Sequence, residues 1–106
     1  MKITLNELIE VNKRLGGHLV SDSSLKFAES ACENARSTYQ VAAIWIRAIV
    51  NDHPFSDANK RTAGYVIEHL IGIKNQKKMG DALTRIASKS ITNLDKIKDM
   101  IKNANR

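Results

Sequence analysis

Between residues 53 and 61 the chain reads His53-Pro54-Phe55-Ser56-Asp57-Ala58-Asn59-Lys60-Arg61. A proton-exchanging imidazole, a carboxylate, an amide and two cations fall within nine residues, and together they are what chemistry on a phosphate ester needs. His53 is the candidate base or acid, because histidine gives and takes protons near neutral pH. Asp57 is a hard oxygen ligand of the kind that holds magnesium, one or two carboxylates being completed by substrate phosphates. Asn59, Lys60 and Arg61 stand where a helix is expected to open, with Asp57 as its N-cap. A helix start with cations on its first turn gathers anions. Pro54, the chain's only proline, stiffens the loop, and Phe55 is expected to wedge it onto the core. Taken singly, each residue has a plainer reading: a helix cap, a surface histidine, solvated charges. Their occurrence together in this order argues for a site.

The elements that must hold this loop are helical. Thr4 and Glu7 have capping-box spacing, and Leu5, Leu8, Ile9 and Leu15 share a helical face, which predicts a first helix from about Thr4 to Leu15, stopped at Gly16-Gly17. Ser21 to Ser24 supply the next cap, ahead of Leu25, Ala28, Cys32 and Ala35 at helical intervals. Residues 39 to 50 are apolar almost all round, as in a central helix enclosed by others, with Trp45 as a core anchor. After the loop, Ala63, Val66, Ile67, Leu70 and Ile71 form a second strong stripe. Shorter amphipathic segments follow at Gly80 to Ser88 and Asn93 to Asn103. Apart from an extended stretch at His18 to Val20, no strand pattern competes. The fold expected is all-α: a compact bundle of five to six helices around a central apolar helix (about 39–50), with a motif loop at 53–58 leading into a helix.

Bulk properties narrow the partners. A chain of 106 residues suffices for one domain, 1–106, with one core. Cys32 is the only cysteine, so no internal disulfide forms, and it is expected to be a buried structural thiol. The N-terminal residues lack the apolar stretch of a signal peptide, and the longest apolar run, Val41 to Ile46, is too short to span a bilayer, so no membrane partner and a cytoplasmic location are expected. The net charge of +6 is lopsided. Residues 1 to 59 carry six Lys/Arg against seven Asp/Glu, whereas residues 60 to 106 carry eleven against four. A basic half attracts acidic or phosphate-rich ligands. From the motif onward the only aromatics are Phe55 and Tyr65, and no zinc-finger spacing occurs, so nucleic acid is not expected as a direct ligand. Neither a Gly-x-x-x-x-Gly-Lys-Ser/Thr loop nor a eukaryotic-type kinase signature is present, so any use of ATP rests on residues 53 to 61.

The nine residues match every defined position of His-x-Phe-x-Asp/Glu-Gly/Ala-Asn-Gly/Lys-Arg and so resemble the signature of the Fic/Doc family. The resemblance implies that His53 is the general base acting on a hydroxyl of a target protein. It also implies that Asp57 holds magnesium and that Asn59 and Arg61 contact nucleotide phosphates. Position 60 separates two branches: most Fic proteins have glycine there and transfer AMP, whereas Doc-like toxins have lysine, present the γ-phosphate and phosphorylate. Lys60, Ala58 and Gly64 place this chain nearer to Doc, the death-on-curing toxin of toxin–antitoxin pairs. The family's internal inhibitory signature, Ser/Thr-x-x-x-Glu-Gly/Asn, is missing, since Glu33-Asn34 is preceded by Glu29. The resemblance therefore implies restraint by a cognate antitoxin.

The function expected is ATP- and magnesium-dependent phosphorylation of a hydroxyl on a target protein. The resemblance points to a translation factor, with elongation factor Tu as the family precedent and arrest of translation and growth as the outcome. Two alternatives stand beside it: a Fic-type AMP transferase, and a catalytically decayed binding or regulatory module.

Overall fold

The computed structural model describes residues 2–106, and within them the chain forms six α-helices and no named strand. They are α1 (Leu5–Arg14), α2 (Ser23–Cys32), α3 (Thr38–Ile46), α4 (Asn59–Leu70), α5 (Gln76–Ser88) and α6 (Leu94–Ala104). Four of the starts are fixed by side chains that accept a first-turn amide: Thr4 from Glu7, Ser37 from Gln40, Asn75 from Lys78 and Asn93 from Lys96. A cap of this kind is worth about 1 kcal/mol. Only half of the expected capping box forms at α1. The Glu7 carboxylate instead accepts the Tyr65 hydroxyl of α4 at 2.6 Å, tying the two helices together. That bond is the main reason the Tyr65 phenol is held above its ordinary range. Likewise the serine-rich start of α2 places Asp22 at the cap position, but its carboxylate pairs with Lys26 at 3.1 Å and caps nothing.

The central element differs from the regular helix expected over 39–50. After Ile46 the backbone widens into a π-helical turn, Arg47–Asn51. Enclosure on all sides makes this possible. Ala42 to Ile46 and Ala48 to Val50 are all buried, so no solvent-facing side has to be kept in register. The turn also lets Asn51 donate to the Ile91 carbonyl at 2.8 Å, closing the α5–α6 connection over the core. Turns of this type occur often beside functional sites, and this one ends two residues before His53.

One apolar cluster draws on every helix, from Ile3 to Ala104, with Trp45, Ile46, Ile67, Ile86, Ile97 and Ile101 fully enclosed. Helix α3 lies against α2, α4 and α6, which makes it the axle of the bundle. Helix α5 starts four residues earlier than the apolar pattern predicts, because its first turn, Gln76, Lys77 and Lys78, is polar and carries no periodicity; the Asn75 cap begins it. Cys32 is partly rather than fully buried, packed against the edge of the core, and desolvation followed by the nearby Glu29 carboxylate pushes its thiol up to about 11. It therefore stays protonated and unreactive at neutral pH. No helix among the described residues is long and apolar enough to cross a membrane.

Candidate functional site

The motif occupies the joint between the π turn and α4. Both ends of its loop are left-handed, at His53 (φ 48) and Ala58 (φ 60). Each such non-glycine residue costs about 1–2 kcal/mol, so other contacts must hold the loop in place. Ala58 stands at the signature position that admits glycine or alanine; glycine would take this backbone freely, whereas alanine takes it at a steric cost.

Three sets of contacts hold the loop. Pro54 and Phe55 are buried, Phe55 at 2% exposure, and seat it on the core. The His18 to Val20 segment runs antiparallel to it: Leu19 pairs with Phe55, the amides of Val20 and Ser21 donate to the Pro54 carbonyl, and that of Ser56 donates to His18. The Ser56 hydroxyl accepts the His18 amide at 3.1 Å and lies 3.0 Å from His18 Nδ1. Third, Asn59 folds back on the loop, its Oδ1 accepting from the Phe55 amide at 3.2 Å and its Nδ2 donating to the Phe55 carbonyl at 3.0 Å. One hydrogen of that side-chain amide is thus already committed, leaving the second for a phosphate oxygen.

Asp57 does not cap the helix as expected. The cap position is Ala58, α4 begins at Asn59, and no side chain caps it. The Asp57 carboxylate instead accepts the Ala58 amide through Oδ1 at 2.7 Å, because the left-handed turn at Ala58 carries the later amides out of its reach. The consequence favours anion binding, since the first-turn amides of α4 stay uncapped beside Lys60 and Arg61. Asp57 Oδ2 takes no hydrogen bond among the described residues. No group of three His, Cys, Asp or Glu among the described residues could hold a metal. What fits is a magnesium ion held by this one carboxylate with phosphate oxygens supplying further ligands.

Beneath the loop, Asn12 of α1 is fully buried and donates to the Asp57 carbonyl at 2.9 Å and to Thr62 Oγ1 at 3.1 Å. Thr62 in turn donates to the Ala58 carbonyl at 2.8 Å. Gly17 lets the chain pass close by: a Cβ there would overlap Asn12 Oδ1 and stand 2.6 Å from the Asp57 carbonyl oxygen. Gly17→Ala is therefore expected to destabilise the fold by about 1–3 kcal/mol, the usual cost of overpacking, outweighing the ~0.4–1 kcal/mol gained from a stiffer unfolded chain. Thermal unfolding reads this as a lower midpoint, and an unchanged midpoint would refute the close approach.

In the sequence Gly17 stands out only as part of a helix stop and His18 only as part of an extended stretch, while Asn12 and Thr62 carry no motif. Two of them left a signal. Asn12 sits four residues after Leu8 on the inward face of α1, a polar residue at an apolar position. Gly16 (φ 99) alone suffices to end that helix, so Gly17 was a glycine without a turn to explain it. His69 stacks on Tyr65, ring centroids 5.5 Å apart, and contributes nothing to the loop.

The motif separates two concavities. On the side of Asp52 and Pro54 a cleft of about 770 Å³ is lined also by Asn51 and Arg47, with Phe27, 68% exposed, on its rim; His53, Asp57 and Asn59 line neither concavity. At the motif's cationic end a groove of about 620 Å³ runs between α1, α4 and α5, lined by Lys60, Arg61 and Gly64 with Leu15, Met79 and Leu83 as apolar wall. Lys60 Nζ lies 3.5 Å from Thr84 Oγ1 across this groove.

An uncapped helix start with cations on its first turn is an arrangement suited to phosphate-bearing groups, carried here by an all-helical protein. The Fic/DOC family model matches residues 10–71, more than half of the chain, which therefore belongs to that family. No curated protein and no solved structure matches it. Members of the family are in general transferases that move a nucleotide-derived group onto proteins, using a nucleotide and usually magnesium. The matched span runs from α1 to the end of α4 and holds Asn12, Gly17 and the whole motif; α5 and α6 lie beyond it.

Proposed function

We propose that the chain transfers the γ-phosphate of ATP to a hydroxyl of a target protein, as a Doc-like toxin restrained by a cognate antitoxin, with a translation factor as target. The observation that carries this reading is the start of α4, where no side chain caps the first-turn amides and the adjoining Lys60 and Arg61 line the groove between α1, α4 and α5. The groove beside Lys60 and Arg61 suits a nucleotide, its apolar wall facing a purine and its cations the phosphates. The cleft beside Asp52 and Pro54 suits a protein segment bearing the acceptor hydroxyl.

In this reaction His53 takes the proton from the acceptor hydroxyl, whose oxygen forms the new bond to the γ-phosphorus as the bond to the ADP oxygen breaks. Lys60, Arg61, the free hydrogen of the Asn59 amide and the uncapped amides of α4 oppose the charge on the transferring group. Magnesium held at Asp57 would neutralise charge on the phosphates. Lys60 favours phosphoryl over nucleotidyl transfer because its side chain fills space that a glycine would leave to phosphate and supplies a cation there.

Incubation with γ-labelled and with α-labelled ATP, elongation factor Tu serving as acceptor, tests the reading. Label from the γ position alone is expected, with loss of transfer in Lys60→Gly. Transfer of α-label, with Lys60→Gly still active, would replace the proposed reaction by AMP transfer.

A further inference from the structure

Asn12 is an expensive residue for α1 to bury. Its neighbours on the inward face, Leu8 and Val11, are apolar, it is 0% exposed, and its Oδ1 has no hydrogen-bond partner. A leucine would fill this space without an orphaned oxygen. The orientation of the amide is nevertheless fixed: reversed, it would set Oδ1 against the Asp57 carbonyl oxygen. What the residue gains is a grip on one peptide plane. The carbonyl of the Asp57–Ala58 peptide accepts from Asn12, and the N–H of the same peptide donates to Asp57 Oδ1 at 2.7 Å. Thr62 closes the arrangement, accepting from Asn12 and donating to the Ala58 carbonyl.

That plane has a reason to turn over. Rotating the Asp57–Ala58 peptide would carry Ala58 from φ 60 to negative φ, which an alanine prefers. Rotation would also swing the N–H away from the Asp57 carboxylate. We propose that Asn12 is a positioning residue that holds this peptide against its own preference, and that through the Ala58 N–H it aims the Asp57 carboxylate at the magnesium–nucleotide complex. The role of Asp57 in this statement rests on the proposed phosphoryl transfer; the hold on the peptide does not.

The full chain tests both parts. Titration calorimetry with ADP is run with magnesium and again in EDTA, and the Ala58 amide proton is followed by NMR. Asn12→Leu is expected to weaken magnesium-dependent ADP binding at least tenfold, to leave binding in EDTA within twofold, and to move the Ala58 amide proton upfield as its bond to Asp57 Oδ1 is lost. Ala58→Gly in the Asn12→Leu background is expected to recover most of the binding, since glycine accepts positive φ without a clamp; a residue needed only for packing would not be rescued there. Should Asn12→Leu fail to fold, Thr62→Val, which removes the hydroxyl at the centre of the network, is read in the same way. An unmoved Ala58 amide with unchanged magnesium-dependent binding overturns the proposal. If the unaltered chain itself shows no magnesium-dependent ADP binding, the phosphoryl-transfer reading falls, and the Ala58 amide still decides whether Asn12 holds the peptide.

Discussion

His53→Ala is expected to lower the rate of phosphate transfer by about 10²- to 10⁴-fold, the range typical of a lost general base. The imidazole is exposed, so its removal opens no cavity, and stability is expected to move by no more than about 0.5 kcal/mol. The loop keeps its shape without it, because Pro54, Phe55, the Leu19 pairing and the Asn59 clasp hold the neighbouring backbone. Rate and fold are thereby separable: initial rates of γ-label transfer report the chemistry and circular dichroism the helices. A variant within tenfold of the parent would remove His53 from the role of base. In cells, the same substitution is expected to relieve any growth arrest that follows expression.

The second large effect is expected at Asp57. Asp57→Asn keeps an oxygen to accept the Ala58 amide, so the loop is preserved, but it removes the negative charge that would hold magnesium. Several kcal/mol of charge stabilisation is at stake. At 1.36 kcal/mol per decade, this is a loss of about 10²- to 10³-fold in transfer at limiting magnesium. Raising the magnesium concentration should recover part of the rate in Asp57→Asn and none in His53→Ala, which distinguishes a ligand from a base. Equal rates for Asp57→Asn and the parent at limiting magnesium would move the metal elsewhere. Asp57→Ala also loses the bond to Ala58 and is expected to be the more damaged variant, in growth arrest as in rate.

Where local pattern carries the information, sequence and structure agree closely. The apolar spacing and the caps at Thr4 and Asn93 delimit α1 and α6 to within a residue or two, and the extended stretch at His18 to Val20 emerges as the partner of the motif loop. Agreement is looser where the deciding quantity is a backbone angle or a distant neighbour. Asp57 reads as a helix cap from residue type alone, and only φ 60 at Ala58 moves the cap one residue on. Nothing in the run from Tyr39 to Val50 distinguishes an α-helix from one ending in a π turn, because residues enclosed on all sides carry no periodicity. Glu29 breaks the inhibitory signature, and its carboxylate accepts the Leu5 amide at 2.8 Å, bracing the start of α1. A pattern search sees the mismatch but not that employment.

By itself the sequence determined the kind of chemistry and the family. Both reside in side chains that are contiguous, and nine consecutive residues keep their order however the rest of the chain packs. Tertiary structure alone decided how that chemistry is held and what reaches it. The clamp joins Asn12 to a carbonyl 45 residues away, and the groove beside Lys60 closes on Thr84, 24 residues on. Such meetings depend on how α1 and α5 lie against α4, which is set by burial of the shared core rather than by any spacing along the chain.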